Sequence, residues 1–185
     1  LNFDPTLKLK KYEYNLTGDM NESKIMFDKS LKSTFLKNEI KEIFFNNTKL
    51  RIKLNDKKEN KIFAEGLYKF NKDRDYAKYK IDNSFNKLKS QFNVNLDLNE
   101  HFLIEILNYE KKEDKIANIT AIFDFIDKEK KIKNINYQEG NNLILLNKIE
   151  INKNNQIKKF EKIKIKTFKD KKENNNFEII FGKKI

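Results

Sequence analysis

The chain has 185 residues with 40 Lys or Arg against 28 Asp or Glu, which gives a formal net charge of +12. It contains no Cys, so disulfides, thiol nucleophiles and cysteine metal sites are excluded. Arg51 and Arg74 are its two Arg residues. Because Arg is the residue that phosphate and base recognition favours, this composition argues against a dedicated reader of nucleic acid. No run of about 18 apolar residues exists, so no transmembrane helix is predicted.

The first quarter of the chain predicts three elements. Residues 7–16 hold two short runs of alternating apolar and polar residues, which indicate a strand because successive side chains of a strand point to opposite faces. The runs change phase across Lys10-Lys11, as a bulge would do. Gly18 and Asp19 predict a turn over residues 15–21. The apolar residues of 33–45 approximate a helical spacing behind a serine cap, and we expect one short helix there.

From residue 50 onward the strict alternation returns repeatedly, with polar turns between the copies. Gly66 lies inside one such strand, where glycine marks a bulge or a close backbone approach. In all, roughly ten to fourteen short strands are predicted, a pattern typical of an all-β antiparallel fold. The clearest copies are Leu50–Leu54, Phe92–Leu98, Ala117–Phe125, Ile163–Ile165 and Phe177–Phe181. Ile62–Phe70 is a further predicted strand, and Ile116–Ile126 is the longest.

Residues with catalytic or metal-binding chemistry are scattered. His101 is the single histidine, and without a second His or a Cys it cannot build the usual zinc or iron sites. Three close carboxylate pairs lie in charged turns, where we expect solvent to keep their pKa values ordinary. We therefore expect no enzyme, no metal and no cofactor. The pairs are Asp73 and Asp75, Glu113 and Asp114, and Asp127 and Glu129.

Aromatic and basic residues are interleaved in places, as over Tyr76–Lys80. Single-stranded nucleic acid binds to such a combination of stacking rings and cations. The alternative is that Phe fills the apolar face of the sheet, since Phe92, Phe123 and Phe125 keep the strand parity of their aliphatic neighbours. The sequence favours this second interpretation, and nucleic acid is not expected as a partner.

The order of five segments resembles the AsmA-like proteins of Gram-negative bacteria, in particular their YhdP/TamB type. The resemblance spans most of the chain and consists of strand alternation with an Ala-x-Gly and an Asn-rich turn. The segments are LKLKKYEYNLTG (Leu7–Gly18), KIFAEGLYKF (Lys61–Phe70), FNVNLDLNE (Phe92–Glu100), NINYQEGNNLILLNKIEINKNNQI (Asn134–Ile157) and ENNNFEIIFGKKI (Glu173–Ile185).

The resemblance implies an elongated, curved antiparallel sheet whose apolar face forms a groove. It also implies a periplasmic location, tethered to the inner membrane by a segment outside this chain. Such proteins conduct phospholipid acyl chains between the inner and outer membranes. Residues 1–185 are then expected to be a single β-rich segment of a longer polypeptide, whose remainder is a partner of this one.

The predicted function is therefore a non-enzymatic segment that shields acyl chains. A closed β-sandwich or barrel, with the apolar face as its own core and no lipid, is the alternative. A basic nucleic-acid-binding module is the third possibility. The residues expected to line the groove alternate along two strands: Phe92, Val94, Leu96, Leu98, Ile119, Ala121, Phe123 and Phe125.

Overall fold

The computed structural model of the chain describes residues 2–6, 9–56, 59–126, 129–152 and 156–181. Residues 7–8 of the first predicted strand and Asp127 of the last carboxylate pair lie outside these ranges. The described residues form fifteen strands and one 3₁₀ turn, Glu105–Leu107. The strands are β1 Asn2–Phe3, β2 Leu9–Lys11, β3 Glu13–Leu31, β4 Ile40–Asn55, β5 Asn60–Phe70, β6 Ala77–Phe85, β7 Lys89–Leu98, β8 Phe102–Ile104, β9 Tyr109–Lys111, β10 Ala117–Ile126, β11 Glu129–Glu139, β12 Asn142–Ile151, β13 Ile157–Lys159, β14 Lys162–Lys169 and β15 Lys172–Ile180.

One large antiparallel sheet contains most of these strands. Its order is β15-β14-β12-β11-β10-β7-β6-β5-β4-β3, with the short β13 paired to β12. β3 and β15 form its two edges, so the sheet is open and does not close into a barrel. The all-β antiparallel fold predicted from the alternation is thus confirmed, as is the curved sheet that the resemblance implies.

Consecutive strands are neighbours almost everywhere in this sheet. The exception is an excursion over residues 99–116, which leaves the sheet after β7, forms the β8–β9 hairpin and returns as β10. Register shifts interrupt the β3–β4, β4–β5, β10–β11 and β14–β15 ladders. Because a bulge bends its strand and increases the local twist, these interruptions add curvature to the sheet.

Gly66 lies opposite one of these bulges, as its position inside a strand predicted. The register of β4 shifts between Asn46 and Lys49, and Asn47 adopts a positive φ of 49°. A Cβ on Gly66 would lie 2.9 Å from both the Asn47 carbonyl oxygen and the Thr48 Cα. Glycine is therefore required here by close backbone approach.

The predicted helix over 33–45 is wrong. Residues 34–35 and 37–38 form bends on either side of a β-bridge at Leu36, and β4 begins at Ile40. Ile43 packs beside the buried Tyr68, whereas Phe44 lies beneath the ammonium groups of Lys24 and Lys69 on the other face of the sheet. The helix-like spacing had combined residues that belong to opposite faces of one strand.

The predicted turn over 15–21 is also wrong, because β3 continues through it. Gly18 pairs with Leu50 and Asp19 with Lys49 in a ladder that runs along β4. Gly18 has no neighbour within 4 Å of a Cβ position. Continuous pairing with a long partner strand overrides the local turn preference of these residues.

Candidate functional site: an apolar sheet face with one covered end

The eight residues predicted to line a groove lie on one face of the neighbouring strands β7 and β10. We call this the apolar face; Asn93 and Asp124 lie on the opposite, polar face. The register between β7 and β10 brings the predicted residues directly together, because side chains that point to the same face are paired across the two strands. The cross-strand pairs are Phe92 with Phe123, Val94 with Ala121, Leu96 with Ile119, and Leu98 with Ala117, while Phe125 pairs with Ser90.

Flanking strands continue the apolar face on both sides. On β6, Tyr79 and Ile81 pair with Leu96 and Val94. Across β10, Tyr137 and Ile135 of β11 pair with Ile119 and Ala121, and the face extends to Ile144 and Leu146 of β12. The predicted residues are therefore the centre of a wider apolar surface.

The two ends of the apolar face differ in what lies over them. The excursion 99–116 folds over the end at which β7 finishes and β10 starts, which we call the covered end. Leu98, Tyr109 and Ala117 are buried in one cluster there, with Phe102 and Leu107 of the excursion packed against it. The opposite end, at which β4 finishes, residues 86–88 connect β6 to β7, and β12 pairs with β13, is called the open end.

Hydrogen bonds from main-chain and side-chain amides fasten the excursion 99–116, which we call the cover, over the sheet. The Leu103 amide donates to the Phe35 carbonyl at 2.9 Å, and Leu36 forms a bridge with Phe102. From β15, the side-chain amides of Asn174 and Asn175 donate to the Leu107 carbonyl at 2.9 and 2.7 Å. The cover is thus held by two separate parts of the chain.

A buried hydroxyl pair anchors β9 to the sheet. The hydroxyl oxygens of Tyr109 and Tyr137 lie 2.7 Å apart, and the Tyr109 hydroxyl donates to Glu139 Oε2 at 3.1 Å. Asn142 donates its side-chain amide to the same carboxylate. Burial raises the pKa of both Tyr109 and Tyr137 well above the ordinary value, so neither phenol ionises at neutral pH. The arrangement is suited to holding the cover rather than to moving protons.

Charged groups at the same end form a second network. Arg74 lies 3.5 Å from Glu100 and 2.6 Å from Glu113, and the buried Lys111 ammonium donates to the Glu100 carbonyl at 2.8 Å. Burial raises the pKa of Glu100 and lowers that of Lys111, whereas the hydrogen bond from Arg74 lowers the pKa of Glu113. These groups join the excursion to the β5–β6 turn that carries Arg74.

At the open end three phenylalanines form an aromatic cluster on the apolar face. The rings of Phe92 and Phe123 stack at 5.3 Å, and Phe125 meets both edge-on at 5.8 and 5.7 Å. Phe125 is 38% exposed. Of the ten hydrophobic residues that are buried among those described, Ile149 is the one in the open half of this face.

The polar face carries Asn, Asp and Lys side chains along the same strands. Asp124 is buried there between the ammonium groups of Lys89 and Lys133, at 3.3 and 3.2 Å. A shallow cavity of about 440 Å³ lies on this face, lined in part by Lys80, Asp97 and Asn118. Alternation thus separates a charged surface from an apolar one across a single sheet.

The other residues that the sequence offered as candidates, His101 and the aromatic residues of 76–80, make contacts within the fold. His101 lies 3.2 Å from the Glu110 carboxylate within the excursion. Tyr79, expected as one possible stacking ring, is buried, and its hydroxyl shares a hydrogen bond with Thr48. No group of three or more His, Asp or Glu residues in the described ranges is arranged to hold a metal ion.

Sequence reasoning did not find the cover. The sequence does not single out Tyr109, because β9 has three residues and the partners of Tyr109, Tyr137 and Glu139, lie 28 and 30 residues away. The sequence did hold one signal, since residues 102–107 fit both a strand and a helical turn. The structure contains both, with β8 followed by the 3₁₀ turn.

Comparisons of the chain with protein-family models, with curated proteins and with solved structures found no match. In the described part of the chain, no helix has the length and apolar character needed to cross a membrane.

Proposed function

We propose that this chain is a non-enzymatic binding segment that shields the acyl chains of phospholipids on its apolar face. One observation carries the proposal: the open half of that face presents apolar side chains in register on adjacent strands, with Phe125 exposed to solvent. In a protein of such high net charge, an aligned apolar surface favours an apolar ligand. Each methylene buried against it stabilises the complex by about 0.8 kcal/mol at most.

Membership of a lipid bridge of the AsmA-like type, in the periplasm of a Gram-negative cell, is part of the same proposal. An open sheet supports it, because acyl chains can enter along a face that is not sealed by a second sheet. Because the cover closes one end of the apolar face, the two ends are not equivalent, and acyl chains are expected to enter at the open end. Head groups make few contacts with an aliphatic and aromatic surface, so discrimination between them is expected to be weak.

Native mass spectrometry with lipid extraction tests this function on the chain expressed in the periplasm of a Gram-negative host. Co-purified phospholipid is expected, and it is lost when Val94 and Phe123 are both changed to Asp. The matched control is Asn93→Asp with Thr120→Asp, which places the same charges on the same two strands but on the polar face.

A stable, lipid-free monomer would contradict the proposal and would leave the apolar face as an ordinary core or a surface for another protein. Equal lipid loss in the control variant would contradict it as well, because the apolar face would then have no special role. Affinity for single-stranded nucleic acid that falls steeply with salt would favour the basic binding module instead.

A further inference from the structure

We propose that the first half of β3 is a dimerisation edge, which pairs antiparallel with the same strand of a second copy of this chain. This inference goes beyond the proposed function, because the pairing uses the main chain of a sheet edge and does not require lipid. Its support is the exposure of this edge, its balance of charge, and the register that its residues allow.

β3 is a long and exposed edge of the large sheet. In the described ranges β4 is its one partner strand, and each residue from Glu13 to Glu22 is exposed. Tyr14, Leu16 and Met20 point to the same side, and Leu16 pairs with Ile52 on the apolar face. Six of the sixteen exposed large hydrophobic residues in the described part of the chain lie on β3. An edge that presents unpaired main-chain groups beside apolar side chains is a template for a further strand.

The charges at this edge do not oppose the pairing of two copies. Residues 13–22 contain no lysine, the residue that most often protects a sheet edge, although the chain has 40 Lys or Arg. They carry three acidic side chains, and residues 46–55 of β4 beside them carry three basic and no acidic ones. Asp19, for example, pairs with Lys49. The edge is therefore neutral, and two such edges approach without net repulsion despite the net charge of +12 on each chain.

Residues 14–20 are self-complementary when a two-fold axis passes between the two copies of Thr17. Apolar-face residues then meet apolar-face residues of the second copy, and polar-face residues meet polar-face residues. Asp19 is the one charged residue of this segment, so no like charges are directly opposed, an arrangement that would destabilise an antiparallel pair. The rungs are Tyr14 with Met20, Leu16 with Gly18, Asn15 with Asp19, and Thr17 with Thr17.

Neighbouring registers are less favourable. A slip by one residue places the apolar side chains of one copy opposite the polar side chains of the other. A slip by two residues in one direction opposes Glu13 to Asp19, which are both acidic. A slip by two in the other direction opposes Tyr14 to Glu22, which points to the polar face with Asn46. The register centred on Thr17 is thus selected by both face and charge.

The dimer has a consequence for the apolar face. An isologous pair uses the same patch on both copies, and here its two-fold axis stands perpendicular to the sheet. The apolar faces of both copies therefore lie on the same side. The sheet then runs without interruption from β15 of one copy through both β3 strands to β15 of the other.

A cysteine at position 17 tests this register in the full chain, which contains no Cys of its own. Thr17→Cys is oxidised with copper phenanthroline and analysed on a non-reducing gel. A covalent dimer is expected, because directly opposed residues of an antiparallel pair have Cα atoms about 4.5–5.5 Å apart, within the reach of a disulfide. The matched control is Asn176→Cys, which is exposed on the other edge strand, β15, and is expected to stay monomeric on the gel.

Sedimentation of the wild-type chain completes this test, and a reversible dimer is expected as the concentration rises. A monomer throughout the micromolar range would overturn the pairing, as would a dimer in which Thr17→Cys does not cross-link. Equal cross-linking of Asn176→Cys would overturn it as well. Cross-linking only in a mixture of the two variants would replace it by a head-to-tail array that joins β3 of one copy to β15 of the next.

The charge at position 15 separates dimerisation from folding. Asn15 faces Asp19 of the second copy in the dimer, whereas within its own chain it pairs with Lys53. Asn15→Asp is expected to raise the Kd of the dimer and Asn15→Lys to lower it, each by roughly 2- to 30-fold, because two such contacts form per dimer. Their effects on the unfolding of the monomer have the opposite sign. Dimer affinities that do not change in sedimentation equilibrium, or that change in the same direction as the stability of the fold, would overturn the register.

The two proposals fail separately. Val94→Asp with Phe123→Asp removes lipid from the apolar face but is expected to keep the dimer, because neither residue lies on β3. Retained phospholipid in a wild-type chain that stays monomeric would overturn the dimer and leave acyl-chain shielding intact. A dimer without retained phospholipid would support the pairing and overturn the shielding.

Discussion

The covered and open ends of the apolar face are made of similar residues but have different surroundings. At the covered end Tyr109 is 2% exposed and its hydroxyl is bonded to two partners. At the open end Phe125 lies on the same face yet remains in contact with solvent. Alternation alone therefore does not decide whether an apolar residue becomes part of the core or part of a binding surface. The excursion 99–116, which is inserted between β7 and β10, decides it.

The largest expected effect compares an aromatic residue from each end. Tyr109→Ala should lower the free energy of unfolding by about 3–5 kcal/mol, because it opens a cavity and removes a hydrogen-bond partner from both Tyr137 and Glu139. Phe125→Ala should cost less than about 1.5 kcal/mol, because part of the ring is already exposed. Urea unfolding followed by circular dichroism measures both. Similar losses would mean that the open end is packed as a core.

A glycine pair extends the comparison from side chains to the backbone. Gly66→Ala should destabilise by about 1–3 kcal/mol, since its Cβ would press against the Asn47–Thr48 bulge. Gly18→Ala on the edge strand meets nothing within 4 Å and should stay within about 0.5 kcal/mol. Thermal unfolding of the two variants gives the values. A neutral Gly66→Ala would show that the bulge can move away.

The fastening of the cover can be tested on β15. Asn175 donates to the Leu107 carbonyl and to the buried Thr167 hydroxyl, both at 2.7 Å, so Asn175→Ala should cost about 1–2 kcal/mol. Hydrogen exchange should quicken in residues 102–111 and stay unchanged at the open end. The neighbouring Asn176 is exposed and bonds Glu173, and Asn176→Ala serves as the control. Unchanged exchange in Asn175→Ala would mean that other contacts hold the cover.

The smallest effect is a pH dependence confined to the covered end. Burial raises the pKa of Glu100, so the unfolded chain releases this proton at a pH where the folded chain still holds it. Between pH 4.5 and the higher folded pKa, the contribution of Glu100 to stability therefore falls as the pH rises. Glu100→Gln should remove that slope in urea unfolding measured across the window.

Glu113 provides the control for this slope. Arg74 lowers its pKa, so its contribution to stability is lost as the pH falls through the range below 4.5. Glu113→Gln should therefore alter the acid side and leave the slope above pH 4.5 in place. A wild-type slope that persists in Glu100→Gln would assign it to another group.

The sequence predicted a strand correctly where its apolar residues alternate and where the strand is paired on both sides with strands of similar length. Phe92–Leu98 and the strand that ends at Ile126 are of this kind, and their shared face follows from parity alone. It failed over 15–21, because Gly18 and Asp19 prefer turns in isolation while the ladder with β4 outweighs that preference. It failed over 33–45 for a related reason, since Ile43 and Phe44 both pack, but on opposite faces.

By itself, the sequence determined that this chain forms an antiparallel sheet with one apolar face, because a period of two fixes which side chains share a side. It also placed the eight central residues of that face and anticipated the close approach at Gly66. The tertiary structure decided that the sheet stays open and that residues 99–116 cover one end. Those features depend on contacts between residues far apart in the chain, such as Tyr109 with Tyr137, and no local pattern encodes them.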